Sequence, residues 1–163
     1  MRTLLATAIL AAATTAHAAP MGDLKPMAFL AGHCWKGAFP GGAQTDEHCF
    51  TWLYGGRALR DTHVVRTPGK PDYAGETTYV VNPATKVVQF FYFENLGGLS
   101  QGVVESVPDG LVFPATDYVG EGESMTYRVR WTKVGDDAYE AWSEAKTPNG
   151  WTTMFKLALR RQP

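Results

Sequence analysis

From Phe29 onward the chain alternates apolar and polar residues in short runs, divided by Gly, Pro, Asn and Asp. The clearest run is "SMTYRVRWTKV". Its Met125, Tyr127, Val129 and Trp131 share one face, and Thr126, Arg128, Arg130 and Thr132 the other. A period of two with one apolar side is the mark of a strand in a sheet that is wet on one face. Nine further runs have strand character: "HCWKGAF", "DEHCFTWLY", "RALRDTHVVR", "YAGETTYVVN", "VVQFFYFE", "LSQGVVESV", "LVFPATDYV", "AYEAWSEA" and "WTTMFKLALRR". The breaks between them are turn-forming, among them Gly-Gly, "NPATK", "VPDG", "VGDD" and "TPNG". This spacing predicts an all-β fold, a single antiparallel meander closed as a barrel of 8–10 strands. A sandwich or jelly roll is the alternative. Only Leu24–Leu30 has a helical look, as a short turn able to plug one barrel end.

The stretch "GHCWKGAFPGGAQTDEHCF" fixes a register. If Gly41-Gly42 is a two-residue hairpin turn, a geometry that wants positive φ at both positions, paired residue numbers sum to 83. Cys34 then faces Cys49, and Lys36 faces Glu47. Directly opposed residues lie close enough for a disulfide. Gly55-Gly56, treated alike, makes the next pairs sum to 111. His48 then faces His63, Phe50 faces Asp61, and Trp52 faces Leu59. Alternation puts His33, Trp35, Phe39, His48, Phe50, Trp52, Leu59, Asp61, His63 and Val65 on one face. Cys34, Lys36, Glu47, Cys49, Thr51, Arg60, Thr62 and Arg66 occupy the other. The aromatic face is the inner one, and the cysteines staple the outside.

Composition narrows the setting. Residues 1–18 read as a signal peptide: Arg2 supplies a positive start, an apolar run follows, and Ala16-His17-Ala18 has the small-x-small form of a cleavage site. The run is too short to span a bilayer. With no cysteine after the cut and no twin arginine before the run, neither a lipoprotein nor folded export is expected. The mature domain is then 19–163, in the periplasm or secreted, with no integral membrane segment. An oxidising compartment favours the Cys34–Cys49 bond. The chain has 15 basic and 16 acidic residues; losing Arg2 leaves 14 against 16, a net of −2. That balance lacks the basic face nucleic acid would require.

The inward His33, His48 and His63, with Asp61, admit three chemistries. Imidazoles and a carboxylate can hold zinc, copper or iron. They can form an acid–base site, or a buried network whose members satisfy one another. No strand carries the His-x-His spacing of a strong metal motif, so the non-metal reading is taken and no cofactor is assigned. Trp35, Trp52, Trp131 and the "QFFYF" run either fill a core or line an apolar cavity; a barrel of ten strands is wider than side chains easily fill. No nucleophile elbow, phosphate loop, dinucleotide fingerprint or zinc-protease motif occurs. The acidic "DYVGEGES" reads as a solvated loop rather than a calcium site.

The leading "FLAGHCWKG", the meander and the closing "FKLALRR" resemble the calycin superfamily, and within it the nitrobindin-like and DUF1579-like bacterial branch. Members open with a Gly-x-Trp signature whose Trp packs at the closed barrel end against an Arg of the last strand. Gly32 and Trp35 match it with one extra residue between, and Arg160 or Arg161 is the implied partner, on a cation–π rationale. Haem-binding members hold iron through a histidine near the C-terminus. No histidine follows His63 here, so haem does not carry over. The resemblance implies a barrel that binds a small hydrophobic or amphipathic molecule. Trp35, Phe50 and Trp52 would give apolar contact, and His33, His48, Asp61 and His63 polar contact. An enzyme using the His/Asp group and a purely structural envelope protein are the alternatives.

Overall fold

A computed structural model describes residues 24–163; the expected signal peptide lies outside them. A 3-10 turn, Lys25–Met27, precedes ten strands. They are β1 Cys34–Ala38, β2 Thr45–Leu53, β3 Ala58–Arg66, β4 Tyr73–Val81 and β5 Val88–Glu94. There follow β6 Leu99–Val107, β7 Gly110–Gly120, β8 Glu123–Lys133, β9 Ala138–Thr147 and β10 Gly150–Arg161. Each strand pairs antiparallel with the next, and β10 returns to β1 to close the barrel. The all-β closed meander is the expected fold, and it fits a calycin-like architecture.

The first two registers are those the sequence implied. Cys34 pairs with Cys49, Lys36 with Glu47, His48 with His63, Phe50 with Asp61 and Trp52 with Leu59. The turns that set them are not two-residue Gly-Gly turns. Phe39 still pairs with Gln44 through its N–H, and the Gly42 N–H donates to the Phe39 carbonyl. Pro40 and Gly41 therefore form the centre of a turn, with Gly41 at φ 95°, the geometry that Pro-Gly favours. In the second hairpin the N–H groups of Gly56 and Arg57 both donate to the Leu53 carbonyl, and Tyr54 joins the glycines at positive φ. Both loops have four residues, and each is centred on its Gly-Gly pair. The pairing sums are consequently unchanged.

Closure is apolar at one end. Pro26 is the second residue of the 3-10 turn, where its missing N–H is no loss. Leu24, Met27 and Leu30 are buried there over Trp35, which is fully buried. The Trp35 indole donates to the Leu30 carbonyl at 3.1 Å and packs edge-on against Phe29 and Tyr139. Burial of Trp35 at the closed end is as expected, but the arginine cap is not. Arg161 and Arg160 do pair with Trp35 and Lys36 across the β1–β10 seam. The Arg161 guanidinium, however, turns to Asp137 and to His33 Nε2. Asp137, in the β8–β9 turn, gives the charge a partner at the wet rim, so aromatic rings and the 3-10 turn cover the indole instead. Cys34 and Cys49 form a disulfide. Pro114 falls where β7 slips register against β8, between Phe113 and Thr116; proline has no N–H for the ladder and is suited to a bulge.

Candidate functional site

The barrel encloses a cavity of about 480 Å³. Its walls begin beside the hairpin turns opposite the 3-10 turn, at Phe39, Gln44, Leu96 and Glu123, and descend to Leu157 and Leu159. Most of the lining is aromatic or aliphatic, with Tyr79, Phe90, Phe113 and Trp131 prominent. One side is different: β2, β3, β4 and β5 contribute Asp46, His48, Asp61, His63, Tyr73 and Tyr92.

These polar groups form a connected chain. His48 Nδ1 lies 2.8 Å from Asp61 Oδ2, and His48 Nε2 lies 3.2 Å from Asp46 Oδ2. His63 Nδ1 faces the other Asp46 oxygen at 3.4 Å, and its Nε2 is 3.1 Å from the Tyr92 hydroxyl. Tyr73 and Tyr92 share a hydroxyl–hydroxyl bond of 2.6 Å. The two imidazoles stack, with centroids 5.0 Å apart, and Phe50 stacks with His48 at 6.1 Å. Strand geometry explains the cluster. Asp46 and His48 are two apart on β2 and so share a face, while His63 is the cross-strand partner of His48. Room for the His63 ring comes from Gly75, its partner on β4. A Cβ at Gly75 would come within 2.5 Å of His63 Nε2 and 2.7 Å of the Tyr92 ring.

Electrostatics follow the contacts. Burial disfavours charge on His48, but Asp61 and the hydrogen bonds to Asp46 and Asp61 outweigh it and raise its pKa to about 10. Burial pushes the Asp46 carboxyl up. The hydrogen bonds from His48 and His63 more than reverse this and hold it well below the usual carboxylate range. Burial, followed by the Tyr73 hydroxyl, pushes Tyr92 well above an ordinary phenol. Asp61 is 1% exposed, and its Oδ1 has no hydrogen-bond partner among the described residues. A buried acceptor without a donor costs about 1–3 kcal/mol.

Of the residues the sequence singled out, His48, Asp61 and His63 meet at the cavity wall, with Phe50 buried beside them. Trp35 belongs to the closed end, Trp52 packs half-buried against the core, and His33 sits at the rim beside Arg161. None of these three lines the cavity, and neither does Phe50. Asp46, Tyr73 and Tyr92 are the participants that sequence reasoning missed. Asp46 was within reach of it, because the sum of 111 places it opposite inward Val65, two residues from His48. Among the described residues, Asp46, His48 and His63 also form a group whose possible metal-ligating atoms all lie within 4.8 Å of one another. No known protein-family model matches the chain, and no curated protein matches it.

Proposed function

We propose that the chain is an exported, calycin-like binding protein whose interior takes a small hydrophobic or amphipathic molecule. The observation that carries this reading is the cavity, about 480 Å³ with an apolar floor and one polar side, within the size range of small-molecule sites. Trp131, Phe90, Phe113 and Tyr79 offer apolar contact to the body of the ligand. The His48, His63, Tyr73 and Tyr92 side favours a ligand with a polar end. The disulfide suits an oxidising compartment outside the cytoplasm. Binding is favoured over acid–base catalysis because both nitrogens of His48 are engaged by carboxylates. Neither is free to take a proton from a bound molecule.

The test uses a neutral solvatochromic dye and the mature, disulfide-bonded protein. Dye fluorescence should rise and shift to the blue on binding, and Ala141→Phe should abolish the change. Ala141 lines the cavity, so the added ring occupies the ligand's space. Equal dye binding by a folded Ala141→Phe variant would put the dye outside the barrel and end the proposal. Native mass spectrometry of the protein from its own periplasm identifies any retained molecule.

A further inference from the structure

We propose that Asp46, His48 and His63 form a mononuclear site for a divalent first-row transition metal, open on one side to the barrel cavity. The ligand atoms are an Asp46 carboxylate oxygen, His48 Nε2 and His63 Nδ1. Asp46 Oδ2 lies 3.2 Å from His48 Nε2 and Asp46 Oδ1 lies 3.4 Å from His63 Nδ1, and the possible ligand atoms of the three residues lie within 4.8 Å of one another. A tetrahedral zinc ion with bonds of ~2.0–2.1 Å has ligand–ligand edges about 1.6 times as long, or ~3.3–3.4 Å. Each nitrogen thus stands at that spacing from one oxygen of the carboxylate, and the ion would draw the two nitrogens onto a shared centre. Two imidazoles and one carboxylate suit zinc, iron(II), nickel or copper, and fit calcium and magnesium poorly. Three protein ligands leave a coordination position for water or a bound molecule.

The surroundings support the same assignment. A metal-ligating histidine usually donates its other N–H to an oxygen that fixes its tautomer. His48 has that partner in Asp61 Oδ2, which directs Nε2 toward Asp46. His63 has it in the Tyr92 hydroxyl, which leaves Nδ1 for the ion. The Tyr73–Tyr92 bond accommodates the change because either hydroxyl can be its donor. Charge also balances: with both histidines neutral, Asp46 and Asp61 carry two negative charges that a divalent ion cancels, in a place where uncompensated charge is costly. Asp61 Oδ1 remains as a second, unpartnered acceptor in the same wall. A plain polar network would use these contacts too.

The experiment titrates chelator-treated mature protein with Zn(II) by calorimetry and with Co(II) by visible absorption. One Zn(II) per chain and the ligand-field bands of a low-symmetry, near-tetrahedral Co(II) ion are expected. Asp46→Asn and His63→Gln should each weaken Zn(II) binding by more than Asp61→Asn, whose outer position predicts a ~10–100-fold loss. His33→Gln, at the rim, should leave affinity unchanged. Circular dichroism checks the fold of each variant. For wild type, a rise in melting temperature with added Zn(II) is an independent readout. Failure of the wild type to bind Zn(II), or equal affinity in wild type and folded Asp46→Asn, overturns the proposal. Dye binding by the chelator-treated wild type reports on the interior separately, so failure of the metal site and failure of the ligand cavity are distinguishable.

Discussion

Replacing Trp35 by alanine tests the closed end of the barrel. The indole is fully buried, in contact with Phe29 and Tyr139, and its N–H is the donor to the Leu30 carbonyl. Removing so large a buried ring costs about 3–5 kcal/mol. A loss of about 4 kcal/mol is expected, which lowers the melting temperature by roughly 8–16 °C for a domain of this size. Trp35→Phe keeps most of the apolar contact but loses the hydrogen bond, and should cost about 1–2 kcal/mol. Arg161→Ala should cost under about 1 kcal/mol, because its guanidinium makes a half-exposed ion pair with Asp137. Guanidinium unfolding with the disulfide intact, followed by far-ultraviolet circular dichroism, measures all three without relying on the tryptophan signal. A Trp35→Ala loss below about 1 kcal/mol, the range of surface changes, refutes the account of the closed end. An Arg161→Ala loss equal to that of Trp35→Ala would restore the arginine cap.

Three further outcomes are expected. Replacing Cys34 and Cys49 together by serine should remove about 3 kcal/mol of stability, and mass mapping that finds two free thiols in protein made under oxidising conditions contradicts the staple itself. In metal-free protein, His48 has its pKa raised to about 10 against 6.5 for an unperturbed histidine. It therefore adds stability that is whole below about pH 6.5 and is lost as pH rises toward 10. The stability gap between wild type and the double variant His48→Gln, Asp61→Asn should shrink over that window by about 3–5 kcal/mol; a gap that widens with pH has the wrong sign. Gly75→Ala should displace His63, given the 2.5 Å approach of its Cβ to Nε2. The expected signature is a changed His63 ring resonance with the barrel intact, and an unmoved His63 spectrum contradicts the packing.

The strands were readable because alternation is a local property, and the first two registers because each loop is symmetric about its Gly-Gly pair. The turn conformations were misjudged for that same reason: two-residue and four-residue loops with one centre give identical pairings. Beyond β3 the loops have no such symmetric marker, so the sequence did not bring Tyr73 and Tyr92 to His63. Asp46 was overlooked because an inner face was expected to be aromatic. A carboxylate is tolerated inside only where cations or donors meet it, and for Asp46 these are His48 on its own strand and His63 on the next. The arginine cap failed on a detail no pattern reveals, the presence of Asp137 within reach of Arg161. The cavity is a property of the closed barrel and of how far opposite side chains reach across it. Only the excess width of a ten-stranded barrel hinted at it.

The β1–β10 seam has a consequence for how the molecule is made. Every other ladder joins consecutive strands across a short turn, whereas Trp35 meets Arg161 only after the whole sheet exists. Hairpins form quickly, but a pairing between distant segments must overcome a larger loop-closure entropy. The seam is accordingly the last ladder to zip. The disulfide joins β1 to β2 and leaves β10 untethered, so oxidation does not shorten that search. Until it ends, β1 and β10 are bare edges of an open sheet, the condition in which chains pair with one another and aggregate. Lys36 on one edge and Lys156, Arg160 and Arg161 on the other are then gatekeepers. Like charges on the two edges slow the joining of one unfinished barrel to the next, while the indole of Trp35 supplies the apolar anchor that draws the correct pair together.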